Sequence, residues 1–399
     1  MTALTAPRVL HVAALAFPSY QGTQASIRAM LEASVRRGWH AELFSYAASG
    51  YAYAPNFEVH RGGEFPRLRS LRSGPSLTKL ALDAGMLWQL RRLIDELRPS
   101  AVVAHHVEAA ALALTLRRAP CVFFAHTDLE AELPSYARAQ WRAPLSWTGR
   151  MIDQQLSRRA DALATISPGL RDVARCVQGH TTYVPTPWRV PEAIATEERA
   201  AARATLALAA DDCVALYAGN LDAYQDPYSL LDALAIAQRA GRRITLLLAT
   251  ESDPRAFIAH ATRAGIAFRT SSLAGELLRR RVHAAADFAI IPRGSPGGLP
   301  IKLLDAMARG LACAISPHAA AGLDLSEVAA CASAQGPRAL AQAVLQLANA
   351  PELRQCLAER GRAYIAREHC DDRFAVALDA AIRAARSTFD ERSRNAAGT

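Results

Sequence analysis

Short apolar and β-branched runs alternate along the chain with longer stretches whose apolar positions recur every three to four residues. In the first half, Val9–Leu15, Ala41–Tyr46, Ala101–His105, Cys121–Ala125 and Ala162–Ile166 predict strands. Cys213–Ala218, Ile244–Ala249, Phe288–Ile291 and Leu311–Ile315 predict the same in the second. The intervening spacing is helical. Gln24–Arg37, for example, puts Ile27, Met30, Leu31 and Val35 on one face and ends at Gly38, a suitable C-terminal stop. Strands alternating with helices define the α/β class and imply doubly wound parallel sheets.

The alternation breaks at Tyr183–Pro191, where Pro185, Pro187 and Pro191 permit neither a helix interior nor a central strand, so the run reads as a linker. Three parts follow: a Rossmann-like domain over 1–187, a second over 188–372, and a C-terminal helix with a polar tail over 373–399. Within the third, Phe374, Leu378, Ala381 and Ile382 form an apolar face, and the helix is expected to cross back to the first domain. The tail Asp390–Thr399 is polar and expected to fray. Ala47–Ser76, rich in Gly, Pro, Ser and Tyr, has little periodicity and reads as a long loop. Two doubly wound domains imply a central cleft lined by the carboxyl ends of strands, where such sheets bind ligands.

Composition narrows this picture. The 399 residues are 51% hydrophobic, an ordinary globular balance that excludes a disordered or collagen-like chain. No stretch reaches the roughly 18 uninterrupted apolar residues of a membrane span. The opening run from Val9 to Phe17 meets Pro18 with no small-residue cleavage site, so it reads as a buried strand and not a secretory signal. The 7 cysteines are odd in number, scattered and never in a Cys-x-x-Cys pair, which argues against a metal or disulfide framework and for a reducing cytoplasm. A formal charge of +9 is spread over Arg-rich pairs such as Arg36-Arg37 and Arg279-Arg280-Arg281, read as solvated helix faces. Such faces suit nucleotide diphosphates, or loose peripheral association with the inner face of an anionic membrane. Nucleic acid is not expected, because the basic residues are not interleaved with aromatics on one stripe.

Candidate chemistry follows the strands. After the first, Gly22 and Thr23 enter a helix whose free amides could hold an anion; alternatively Thr23 is a plain N-cap. After the fourth predicted strand stands His126, either a hydrogen-bonding partner for a substrate hydroxyl or a turn cap. His105 and His106 are adjacent on an extended run and point to opposite faces, so they do not readily share a metal, and at least one is structural. In the second half Gly219-Asn220 follows a buried strand, with Gly219 allowing close backbone approach. The richest segment is Arg293–Gly310. Its Gly-rich loop with Gly297, Gly298 and Leu299 leads into a helix carrying Lys302 in its first turn and Asp305 three residues later. Amides and an ammonium suit a diphosphate and a carboxylate suits ribose hydroxyls, although Lys302 and Asp305 could also be a surface pair.

Together these segments resemble the family 4 retaining glycosyltransferases of GT-B fold (glycosyl transferases group 1), over nearly the whole chain. The motifs are Phe17–Gln24, Arg158–Ala162 leading to Ile166–Leu170, Gly219-Asn220 with Tyr224-Gln225, and most specifically Gly298–Gly310. The resemblance implies a polysaccharide-biosynthesis type of activity: transfer of a hexose from a nucleotide diphosphate sugar, bound by the second domain, to a glycan, lipid-linked or small-molecule acceptor bound by the first. It implies no cofactor and no metal, the leaving diphosphate being stabilised by protein cations. By the same resemblance Asp305 takes the place of a Glu that holds the ribose, His126 matches a His that contacts the hexose, and Gly22 and Thr23 match a loop near the phosphates. The sequence departs from the pattern in two places. The usual Arg and Lys after the first strand of the donor domain are replaced within Gly219–Gln225, and the first Glu of the Glu-x7-Glu motif falls on Gly297. Lys302 and Arg293 are the candidates for the missing positive charge. These departures leave a second reading, a catalytically silent GT-B protein acting as a nucleotide-binding or assembly subunit.

Overall fold

The computed structural model describes residues 7–19, 21–47, 54–62, 77–175 and 181–397. The chain divides into two compact units, one made of Met1–Ser19, Thr23–Pro187 and Asp371–Thr399, the other of Tyr20–Gly22 and Trp188–Cys370.

The first unit is built on β1 (Arg8–Phe17), β2 (His40–Ala47), β3 (Glu58–Gly62), β4 (Ala101–His105), β5 (Cys121–Ala125), β6 (Ala162–Thr165) and β7 (Thr181–Tyr183). They form a 7-stranded sheet in the order β3-β2-β1-β4-β5-β6-β7. Every neighbouring pair is parallel. Alternation along the strands divides the side chains between two faces. Leu10, Val12, Val102, Ala104 and Phe123 pack with Met86, Leu90 and Leu114 of two helices on one face. On the other, Ala13 and Leu43 meet Ile27 and Leu31 of the helix Gly22–Arg36.

The second unit carries β8 (Val214–Ala218), β9 (Thr245–Ala249), β10 (Phe268–Ser271), β11 (Phe288–Ile291), β12 (Ala312–Ile315) and β13 (Ala330–Cys331). Its 6-stranded sheet runs β10-β9-β8-β11-β12-β13, again with parallel neighbours. In each unit the chain winds outward through the first three strands, returns to the centre and winds the other way. The order therefore reverses between β1 and β4 and between β8 and β11, and the crevice at such a point is where doubly wound sheets bind ligands.

Several expectations need correction. The long loop expected over Ala47–Ser76 contains β3; residues 48–53 and 63–76 lie outside the described residues. β7, β10 and β13 also had no counterpart in the sequence reading. The expected fraying after Asp390 is absent through Ala397, because one helix runs over Asp371–Ala397. Its apolar face, Phe374, Leu378, Ala381 and Ile382, is buried. Both ends are fastened by charge: Arg36 lies 2.6 Å from Asp371 and Arg37 2.6 Å from Asp372, and Arg392 Nη1 donates to Asp161 Oδ1 at 2.7 Å. Acidic residues in a first turn also favour the helix dipole. These arginines, with Arg280 on Glu198, are partnered and not merely solvated, whereas Arg158 and Arg159 are exposed as expected.

Cys121, Cys213, Cys313, Cys331, Cys356 and Cys370 are free thiols; Cys176 and Tyr20 lie outside the described residues. Among the described residues no helix is long and apolar enough to cross a membrane.

Candidate active site

At the reversal point of the second sheet, the segments that follow β8 and β11 are held together by the chain itself. Gly294 N donates to Tyr224 O at 3.0 Å, and the Arg293 guanidinium lies 5.5 Å from the centre of the Tyr224 ring. Gly219 leaves β8 at φ 147°, and a Cβ there would stand 2.9 Å from Lys302 Cε and Nζ. Both facts require glycine: the backbone occupies a region that side chains rarely adopt, and the missing side chain is the space Lys302 uses.

Lys302 comes from the first turn of the helix Ile301–Ala308. Its ammonium sits 4.2 Å from the Tyr217 ring centre and donates to Tyr217 Oη at 3.0 Å. Tyr217 Oη in turn donates to Asn220 O at 2.5 Å. Burial, joined by the Arg293 charge and opposed by Asp222, pulls the Lys302 pKa down to about 7. The ammonium is therefore poised near half protonation at neutral pH, and an arriving anion would draw a proton onto it. Asn220 is fixed by its amide nitrogen, which donates to Asp222 at 2.6 Å and Tyr224 at 3.1 Å. Its Oδ1 is buried with no partner. A buried acceptor in that state costs about 1–3 kcal/mol until something donates to it.

Arg293 shapes the loop. Its Nε donates to Ser295 O at 3.2 Å and its Nη2 to Gly297 O, while its own backbone is tied to Ser316. Gly297 and Gly298 have φ 98° and 66°, so the position where the family pattern has a Glu is a conformation that a Glu would adopt only with strain.

Asp305 is buried and makes no pair with Lys302, which removes the surface-pair alternative. Its Oδ1 accepts from Arg309 Nε at 2.9 Å, and its Oδ2 lies 3.8 Å from Arg279 and 3.7 Å from His283. Burial alone would raise its pKa, but His283, Arg279 and Arg309 together hold it below the usual carboxylate value. Asp305 is thus ionised, anchored and left with lone pairs to spare. Arg279 and His283 were not foreseen as partners, since an Arg triplet on a helix reads as a solvated face.

The first sheet's reversal point is built from histidines. His11 Nδ1 lies 2.9 Å from His105 Nε2, and His105 Nδ1 lies 2.8 Å from His126 Nε2. Register explains the series. His11 sits opposite Val103 and His105 opposite Phe124, so each histidine stands two residues beyond its predecessor's neighbour and on the same face. All three are buried. His106 is not a fourth link: it opens the helix His106–Leu116 at φ 66° and stacks on the His126 ring at 4.7 Å. Burial lowers the pKa of His11 to about 3 and those of His105 and His126 well below the ordinary value. His11 was missed by sequence reasoning, and His105 was noted only beside His106 in a pair of which at least one was read as structural; only the strand register aligns both with His126.

Gly22 opens its helix and Thr23 lies within the first turn, so Thr23 is not the cap. Among the described residues, Glu42, Glu58 and His60 have ligand atoms within 4.8 Å of one another. His60 Nε2 is already 2.7 Å from Glu42, and Arg8 approaches the same carboxylate at 3.5 Å, so the group is satisfied as an ion-pair cluster.

Two parallel, doubly wound sheets of 7 and 6 strands match the two Rossmann-like domains of the GT-B class of glycosyltransferases. Residues 21–190 match the family described as glycosyl transferase 4-like domain, and residues 212–350 match glycosyl transferases group 1. The chain belongs to the glycosyltransferases that join these two domains. Its fold is similar to that of sucrose-phosphate synthase from Thermosynechococcus elongatus, with TM-score 0.76 at 18% identity over 94% of this chain and 97% of that one. It is also similar to Anabaena HepE (TM-score 0.70, 14% identity, 94% and 98% covered) and to WaaG, a glycosyltransferase involved in lipopolysaccharide biosynthesis (TM-score 0.67, 16% identity, 94% and 98% covered). No curated protein sequence matches the chain.

Proposed function

We propose that the chain is a retaining, metal-independent hexosyltransferase that moves a hexose from a nucleotide diphosphate sugar to a glycan, lipid-linked or small-molecule acceptor, the donor resting on the second unit and the acceptor on the first. The observation that carries this reading is Lys302, an ammonium held over Tyr217 at the first turn of a helix and beside the backbone of Gly219. As the glycosidic bond breaks, negative charge collects on the leaving diphosphate. Lys302 and the amides at the start of Ile301–Ala308 are preorganised to receive it, which is commonly the largest catalytic contribution. Arg293 holds the loop in shape, Asn220 Oδ1 accepts from a donor hydroxyl, and Asp305 accepts from the ribose. By the family resemblance, Gly22 and Thr23 are the further candidates for the donor phosphates and His126 for the hexose. HepE, solved with UDP and glucose and with UDP-glucose, supports a nucleoside diphosphate as the ligand class.

The test is calorimetric titration with UDP, GDP, ADP and dTDP at pH 8 in two buffers of different ionisation heat. Saturable binding should take up protons, because an anion raises a lysine pKa that starts at about 7. Lys302→Met should abolish the uptake, and Asp305→Ala should weaken the binding. Transfer from the matched sugar donor should then persist in EDTA and give a product with the donor's anomeric configuration. No binding to any nucleotide would sink the assignment and favour the silent-subunit reading.

One further observation favours a lipid-linked acceptor presented at an anionic membrane. Trp141, Trp147 and Ile152 are exposed on a segment that also exposes Arg138, Arg142, Arg150, Arg158 and Arg159. On the helix Arg142–Arg159, at about 100° per residue, Trp147, Arg150 and Arg158 share one outward face. The segment's own carboxylate, Asp153, has its pKa pushed up by burial and the Asp128 charge. Aromatics among cations suit a headgroup layer. Co-sedimentation with vesicles containing phosphatidylglycerol, but not with pure phosphatidylcholine, and its loss in Trp141→Ser/Trp147→Ser would support this; equal binding to both would refute it.

A further inference from the structure

The histidine series has only two self-consistent arrangements of hydrogens. A neutral imidazole carries one N–H and one bare nitrogen. If His11 donates from Nδ1 to His105 Nε2, then His105 must carry its hydrogen on Nδ1 and donate to His126 Nε2. His126 is then left with its hydrogen on Nδ1. In the reverse arrangement His126 donates from Nε2, His105 from Nε2, and the last hydrogen stands on His11 Nε2. The two outer atoms, His126 Nδ1 and His11 Nε2, are both buried and without a partner. One hydrogen is therefore left without an acceptor, at one end of the series or the other.

The positions of the ends decide between them. His11 is fully buried within β1 between β2 and β4, away from the carboxyl edge of the sheet. His126 is the first residue beyond β5, at the carboxyl edge where ligands enter doubly wound sheets. A permanently orphaned N–H is the rarer and costlier defect, whereas a bare ring nitrogen is tolerated more readily. The ring of His126 is also held in place, with Phe124 at 4.9 Å and His106 at 4.7 Å. We infer that His105 and His11 are positioning residues that fix His126 in the Nδ1–H tautomer, so that His126 acts as a hydrogen-bond donor to an oxygen of the transferred sugar or its acceptor. The sugar as partner rests on the proposed function; the tautomer itself does not.

Long-range proton–nitrogen NMR correlation on the full chain labelled with ¹⁵N-histidine reads the tautomers without any substrate. The expected spectrum has a protonated Nδ1 and a bare Nε2 on His126 and on His105. His105→Phe removes the donor and should return His126 to the Nε2–H form, while His105→Gln, whose amide can still donate, should restore Nδ1–H. Circular dichroism and melting temperature check that both variants fold. In the transfer assay His105→Phe should lower kcat about tenfold with little change in donor KM, and His105→Gln should recover most of it. A wild-type His126 with its hydrogen on Nε2 would overturn the inference, as would a His126 tautomer indifferent to His105→Phe in a folded protein. Failure of glycosyl transfer alone would overturn the proposed function and leave the spectrum to judge the tautomer. If His105→Phe does not fold, the wild-type spectrum still decides.

Discussion

At the reversal point of the first sheet, three imidazoles pass hydrogen bonds along one face and carry no charge near neutral pH; at that of the second, a lysine lies over a tyrosine beside a glycine, and an aspartate is held by an arginine. The same topology thus presents two different environments at equivalent places. Burial drives both, but its consequence depends on what else is present. The histidines have only one another and respond by staying neutral. Asp305 keeps its charge against burial because His283, Arg279 and Arg309 surround it, and Lys302, with Arg293 nearby, is left between the two states. A neutral edge suits directional recognition of hydroxyls, and a titratable cation suits the arrival of a diphosphate.

The largest effect should come from removing that cation. Lys302→Met keeps the volume and loses the charge, and transfer should fall on the order of 10²- to 10³-fold, whereas His126→Phe should cost nearer tenfold. Equal losses in a rate assay would erase the contrast between the two edges. Stability offers a sharper check on the same variant. The folded pKa of Lys302, about 7, lies below the unfolded value of 10.5, so between those limits the unfolded chain binds the extra proton and wild-type stability rises with pH. Denaturant titrations at pH 7 and pH 10 should give a smaller rise in Lys302→Met.

Next in size, Gly219→Ala sets a Cβ 2.9 Å from the Lys302 side-chain end on a backbone of φ 147°. It should destabilise by about 1–3 kcal/mol and weaken nucleotide binding together. A variant of normal stability and affinity would mean that the ammonium is not confined as described. The smallest effect belongs to the neutral edge. The histidine pKa values are depressed, with His11 at about 3, so acidification below about pH 6.5 protonates the unfolded chain first and stability is lost as pH falls. A drop of at least about 3 °C in melting temperature between pH 7 and pH 5 is expected, reduced in His11→Phe. A flat profile would contradict a neutral histidine series.

Legibility in the sequence followed the size and burial of each element. The apolar strands at the sheet centres, β1, β4, β5, β8 and β11, stand out because they are buried along most of their length. β7 has 3 residues, β13 has 2, and β10 has two exposed central positions between half-buried ends, so none offers a clear repeat to separate strand from loop. Each is an outermost strand paired on one side only, β7 to β6, β10 to β9 and β13 to β12. At the candidate site, Gly219, Gly297, Gly298 and Lys302 were visible as a loop entering a helix. The partners that define their chemistry were not: Tyr217 was visible only as part of a predicted strand, Arg279 as part of a solvated helix face, and His283 was not singled out at all.

What the sequence determined by itself is local and periodic: the alternation of strand and helix, the proline-rich break near Pro187, the glycine loop and its following lysine, and the resemblance those motifs carry. Charge state, tautomer and partner were decided only by the tertiary structure. These quantities depend on desolvation and on groups that the sheets bring within hydrogen-bond distance from 94 positions away, as with His11 and His105. No window along the chain contains both members of such a pair, and the register that joins them is fixed only when the strands assemble.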